Sequence, residues 1–319
     1  MTQTSEQTPS QTTVHNPGSA TWRHYLELTK PRLSLMSVIT AMIGYLAAVP
    51  YSYLDWQRTL LVVIGTALCA GGVAALNMWM ESDTDAKMKR TAGRPIVIGI
   101  IQPGSAFVMG WLLCIAGLIV LFKLVNGMSA FLALATIVAY LAIYTPAKRW
   151  SRWNTEIGAI SGALPPLIGW AAAGRSNPGL GWAIFAILYT WQMPHFFALA
   201  WTYRKDYAAA GMPMLSVTDP SGVSLTRWTL VWTGLLIVSS LLPSLLGYCS
   251  WYYFGVAVLL GLWILQSAFT FLNPAKQETE ARRLFHITLG YLPLSLGALV
   301  VDRFIFKLPG FPFNFLNLH

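Results

Sequence analysis

Long apolar runs, each about the length of a membrane crossing, alternate along this chain with short polar or charged connections. A helix needs about 20 apolar residues to cross the hydrocarbon core. Runs of that kind occur at 33–54, 60–80, 106–122, 128–144, 157–173, 180–203, 228–246, 251–272 and 287–301. The pattern predicts an all-α polytopic membrane protein with about nine transmembrane helices. It lacks the ten-residue alternation that marks a membrane barrel.

Composition and charge sharpen that picture. Of the 319 residues, 55% are hydrophobic and 10% charged, whereas soluble domains carry about 25% charged residues. Arg58, Lys123, Arg175, Arg303 and Lys307 fall in one set of connections, and all other Lys and Arg residues fall in the N-terminal tail and the opposite set. By the positive-inside rule the N-terminus and the basic loops are expected in the cytoplasm and the C-terminus outside. The net charge of +9 then reflects topology and anionic substrates, and no nucleic-acid module is present. Residues 1–20 are polar and expected as a disordered cytoplasmic tail, without the order of a signal or transit peptide. One membrane domain, 21–305, follows, and 306–319 form a short C-terminal tail. A bacterial plasma (inner) membrane is the expected location. Cys69, Cys114 and Cys249 sit in or beside apolar runs without metal-ligand spacing and are read as packing residues.

The stretch NMWMESDTDAKMKRTAGRP, residues 77–95, breaks the pattern by closing an apolar run with charge of both signs. Asn77, Glu81 and Asp85 are four apart, which places them on one helix face. Gly93 and Pro95 are expected to end that helix, leaving Arg90 and Arg94 near its terminus. A row of amide and carboxylate oxygens suits Mg²⁺ held jointly with substrate phosphates, and arginines beside it suit the remaining phosphate charge. A solvated, salt-bridged loop is the plainer reading, and the in-line spacing weighs against it.

These residues carry a resemblance. N-x₃-E-x₃-D followed by R-T-x₂-R-P is similar to the first acidic motif of the UbiA superfamily of intramembrane prenyltransferases, and "KRTAGRP" with Glu81 resembles its haem-modifying branch. LTKPRLSLM from Leu28, YTPAKR from Tyr144, GALPPLIGWAA from Gly162 and WQMPHFFALAWTYRKDYAAAGMPML from Trp191 extend the resemblance over about residues 25–305. It implies a UbiA-like helical fold around a central cavity, and transfer of farnesyl from farnesyl diphosphate to a vinyl group of haem b with addition of water, giving haem O for terminal oxidases. It implies Mg²⁺, with haem b as substrate rather than cofactor. The lipid bilayer and the next enzyme of haem A synthesis would be its other partners.

Quinone-directed members carry a second acidic cluster where this chain has YRKDY. Glu81, Asp85 and Asp206 are therefore the candidate metal ligands, with Arg204, Lys205, Tyr207, Lys30 and Lys148 as substrate-binding candidates. His195 lies eleven residues before Asp206, on the same side and deeper in the membrane if the helix is continuous. Ionisable groups inside a membrane usually face a cavity. His195 is left with three readings: contact with the porphyrin, ligation of its iron, or handling of a proton. His286 is read as structural. Pro165, Pro166 and Pro194 are expected to interrupt their helices around a cavity, and Trp191, Phe196, Trp201 and Tyr203 are candidate apolar walls. Two other functions fit the same residues: a prenyltransferase for a quinone precursor, and a polyprenyl or haem transporter.

Overall fold

The computed structural model describes residues 20–49, 51–174 and 178–305. Nearly all of the expected N-terminal tail, the C-terminal tail and Arg175 lie outside them. The helix α1 (Trp22–Leu28) leads to Lys30, whose φ of 45° is the one positive value at a non-glycine position among the described residues. That left-handed residue turns the chain into α2 (Pro31–Ala48), with proline at the first helical position, where its missing N–H costs nothing. There follow α3 (Trp56–Met80), the single turn α4 (Ser82–Asp85), α5 (Pro103–Val120) and α6 (Gly127–Val138). A π-helical stretch, Ala139–Tyr144, continues α6 into α7 (Thr145–Ala147). The remainder is α8 (Asn154–Ala163), α9 (Pro165–Ala172), α10 (Gly179–Thr202), α11 (Arg204–Ala209), α12 (Leu215–Thr218), α13 (Val223–Leu245), α14 (Trp251–Phe271) and α15 (Gln277–Ile305).

Eight of the described helices are long and apolar enough to cross a membrane. The ninth expected run, 157–173, is the pair α8 and α9, split at Leu164. Proline supplies the break, since Pro165 has no N–H and its ring crowds the carbonyl one turn earlier. Pro194 behaves otherwise: α10 runs through it without interruption, so the break expected there is absent.

The helices form two groups. In one, α2 packs on α3 and α9, α3 on α5, and α6 on α9; in the other, α10 packs on α13 and α15, with α14 against both. The short α9 is clamped to α2 by two glycines. A Cβ on Gly169 would lie 1.8 Å from the Ala41 carbonyl oxygen, and one on Gly44 would lie 2.0 Å from that of Pro166. Carbonyls at the far end of α9 are also satisfied, because Ser129 donates to Ile168 at 3.0 Å and Asn126 Nδ2 donates to Ala171 at 2.8 Å. The broken crossing is thus a fixed element of the wall. The three cysteines are buried free thiols, as packing residues should be.

Candidate active site

At the end of the bundle that carries the basic loops, three cations meet three oxygen acceptors. Lys30 Nζ donates to Asn77 Oδ1 at 2.8 Å, Lys148 Nζ donates to Glu81 Oε1 at 2.7 Å, and Arg94 pairs with Asp85. Asn77, Glu81 and Asp85 are only 1%, 6% and 1% exposed. Asn77 Nδ2 also donates to Thr145 at 3.2 Å, and Lys148 lies 4.5 Å from the centre of the Tyr144 ring. Thr145 and Tyr144 are contacts of the row that spacing arguments missed, although they sit inside the YTPAKR stretch.

The expected continuous helix through Asn77, Glu81 and Asp85 is corrected here. α3 ends at Met80, Glu81 caps it with φ −101° and ψ 7°, and α4 restarts with Asp85 on its last residue. Backbone bonds from Glu81 to Asn77 (3.0 Å) and from Asp85 to Glu81 (2.8 Å) survive the break, so the three side chains stay in one row. Arg90 and Arg94 lie beyond any helix, in the turns that follow.

Below the row lies an apolar cavity of about 150 Å³, with Lys30 at its mouth. Its walls are stripes at helical spacing: Ser34 and Ser37 on α2, Thr66 and Val73 on α3, and Ile137 on α6 followed by Tyr140 in the π-helical stretch, with Pro165 and Ile168 completing the lining. Asn77 continues the α3 stripe upward by one turn. Lys30, shared by the row and the cavity lining, thus joins a charged head to an apolar shaft, the shape an amphiphilic anion requires.

Other expected site residues go elsewhere. Asp206 does not join Glu81 and Asp85: among the described residues no three Asp, Glu, His or Cys side chains gather closely enough to hold an ion. The reason is a break at Tyr203 (φ −105°, ψ 19°) between α10 and α11, which also removes the continuous helix assumed between His195 and Asp206. Arg204 is tied to structure instead, donating to the Trp201 carbonyl at 2.7 Å and to Glu278 at 2.8 Å. Lys205 is exposed, and Tyr207 packs beside a cluster of Met88, Ala200 and Met212. Arg90 stacks on Tyr203 at 5.3 Å. Together with Met88 it fastens the loop after α4 to the α10–α11 junction. His195 faces α15, where its Nδ1 is 2.8 Å from the Thr288 hydroxyl. His286 bonds the Arg282 carbonyl at 2.7 Å within its own helix, a structural role.

Electrostatics follow from this burial. Burial, reinforced by the Arg94 charge, pulls the Lys30 ammonium down to about 7. Burial alone would raise the Glu81 carboxyl, but Lys148 beside it holds it below the usual carboxylate range. At Asp85 burial wins over Arg94, and the carboxyl lies above its ordinary value. Two carboxylates and an amide oxygen are hard donors, and as a set they fit a small divalent ion that completes its shell with phosphate oxygens.

Residues 37–290 match the UbiA prenyltransferase family. The chain belongs to the UbiA prenyltransferase family. Within it, a protoheme IX farnesyltransferase of Opitutus terrae is 55% identical over 287 residues, covering 89% of this chain and 96% of that protein. A protoheme IX farnesyltransferase of Solibacter usitatus is 43% identical, covering 88% of this chain and 99% of that one. The UbiA fold recurs in solved structures. A digeranylgeranylglyceryl phosphate synthase structure superposes with a TM-score of 0.74 at 17% identity, covering 88% of this chain and 98% of the other. A UbiA homologue from Archaeoglobus fulgidus, bound to GPP and Mg²⁺, gives 0.62 at 12% identity, covering 86% and 99%. This UbiA chain is a multi-pass membrane protein and an enzyme of the prenyltransferase class.

Proposed function

We propose that this UbiA enzyme is a protohaem IX farnesyltransferase, converting haem b and farnesyl diphosphate to haem O. The observation that carries the reading is the 55% identity to a protoheme IX farnesyltransferase across 89% of the chain. The joined head and shaft support it. The diphosphate sits among Lys30, Arg94 and Lys148, and the C15 chain lies along the apolar cavity below. Glu81 and Asp85, with Asn77, would hold Mg²⁺, which when bound neutralises phosphate charge. The expected third ligand, Asp206, stands apart from this set.

The residues act on the leaving group. As the bond from C1 of the farnesyl chain to the diphosphate oxygen breaks, negative charge grows on that oxygen. Lys30, Arg94 and Lys148 meet it in a water-poor site, where preorganised charge stabilises most strongly. The haem vinyl group then bonds to C1, leaving a cation on the vinyl carbon next to the ring. Water adds there and loses a proton, completing a hydroxyethylfarnesyl group. The apolar walls keep water from the allylic cation before the vinyl group reaches it.

By the charge of its loops the basic end faces the cytoplasm of a bacterial inner membrane. The test is direct. Membranes expressing the enzyme, given farnesyl diphosphate and haem b, should yield a haem heavier by one farnesyl group plus water in mass spectrometry. Prenylation of a hydroxybenzoate instead would overturn the haem reading, and movement of unmodified haem or prenyl diphosphate across vesicles would support transport.

A further inference from the structure

A second built site lies between α10 and α15. The imidazole of His195 is stacked against Trp191 (centroids 4.8 Å apart, planes at 20°) and Phe285 (4.8 Å, 28°). The imidazole is thus in stacking contact with an aromatic ring from each of the two helices. Its Nδ1 edge meets Thr288 Oγ1 at 2.8 Å, and that hydroxyl donates its only hydrogen to the Phe285 carbonyl at 2.6 Å. Thr288 must therefore accept from His195, which fixes the hydrogen on Nδ1 and leaves the Nε2 lone pair bare. The Thr288 carbonyl in turn accepts from Trp191 Nε1 at 2.8 Å, so one fully buried residue holds both the imidazole and a wall of its box.

Nε2 has no partner among the described residues, although His195 itself stays partly exposed. Nε2 is not among the polar atoms buried without a partner, so it stays open to an incoming ligand. Nor does the chain form a proton wire. It ends on a backbone carbonyl, which has no hydrogen to pass on. What it does is orient a ring, as the partners of metal-bound histidines do.

We propose that His195 ligates the iron of the haem substrate through Nε2, with Thr288 as the positioning residue that sets its tautomer and angle. Nε2 donates its lone pair to iron with no change in oxidation state, and whatever ligand occupied that face leaves. The proposal rests on haem b being the acceptor.

Purified full-length enzyme in detergent, titrated with haem b, tests it by absorption and electron paramagnetic resonance spectra. The wild type should show a histidine-bound haem. His195→Ala should lose that signature, and His195→Gly should regain it with added imidazole. His195→Met fills similar space and should give a thioether-ligated spectrum. Thr288→Val should weaken haem binding by about tenfold or more, the usual loss when a metal-bound histidine loses its partner, while Thr288→Ser should restore it. A wild-type spectrum in both His195→Ala and His195→Met, in enzyme that still makes farnesylated haem, would overturn the ligand and leave the function standing. A wild type that binds no haem b and farnesylates none would overturn the functional reading instead.

Discussion

Lys148 and Glu81 meet at 2.7 Å with neither side chain more than 16% exposed. Removing one partner of such a pair strands the other, at a cost of about 3–5 kcal/mol. Lys148→Met should therefore lower the thermal unfolding midpoint in detergent, and Glu81→Gln/Lys148→Met should recover much of the loss. Neither variant should turn over. A double variant less stable than the single one would mean the pair does not act as a unit. Lys30 makes a different prediction. With its ammonium drawn down to about 7, it is charged at pH 6 and mostly neutral at pH 8. A bound diphosphate favours the charged form. Binding of an unreactive farnesyl diphosphate analogue at pH 8 should therefore take up about one proton, and at pH 6 almost none. Calorimetry in two buffers of different ionisation enthalpy measures this uptake, and Lys30→Met should abolish it.

Among the elements, the clamp of α9 on α2 is the tightest contact that positions the cavity. A methyl group on Gly169 would enter the Ala41 carbonyl, and backbone cannot yield as a side chain can. Gly169→Ala should cost about 1–3 kcal/mol, read as a lower yield of monodisperse protein and a lower unfolding midpoint. An unchanged midpoint would show that the two helices can part freely. The elements also show where the sequence was legible. The apolar runs located the crossings, and Pro165 announced the broken one, because both signals are local. The row of Asn77, Glu81 and Asp85 was visible in its spacing, yet the break at Glu81 was not. Backbone bonds four residues apart continue across it, so the pattern is the same with or without the break. Tyr203 carries no proline or glycine signal, so the turn that separates Asp206 from the acids was silent. Lys30 and Lys148 were picked out as anion contacts, but their partners, 47 and 67 residues distant, are set by packing that no local pattern encodes.

For the molecule as a whole, the charge of the loops predicts that the row of acids opens toward the cytoplasm. Single cysteines at Ser151 and at Tyr53, in an otherwise cysteine-free chain, should react oppositely with an impermeant thiol reagent. The first should be protected in intact cells and the second labelled, and the reverse pattern would invert the topology. The three paired contacts at the head of the cavity bear on what that mouth will admit. A vacant cradle of three bare cations would collect nucleotides, inorganic phosphate and the headgroups of surrounding lipid. Here Arg94 and Lys148 each have an internal counter-ion and Lys30 is held by the Asn77 amide, so entry is an exchange of partners. A lone phosphate can draw Lys148 and Arg94 away only by stranding the two buried carboxylates of Glu81 and Asp85. A guest that arrives with its own divalent cation satisfies both sets at once. Selectivity for a metal-bound diphosphate is thus enforced by the protein's own charges, which act as competitors that every weaker anion must displace.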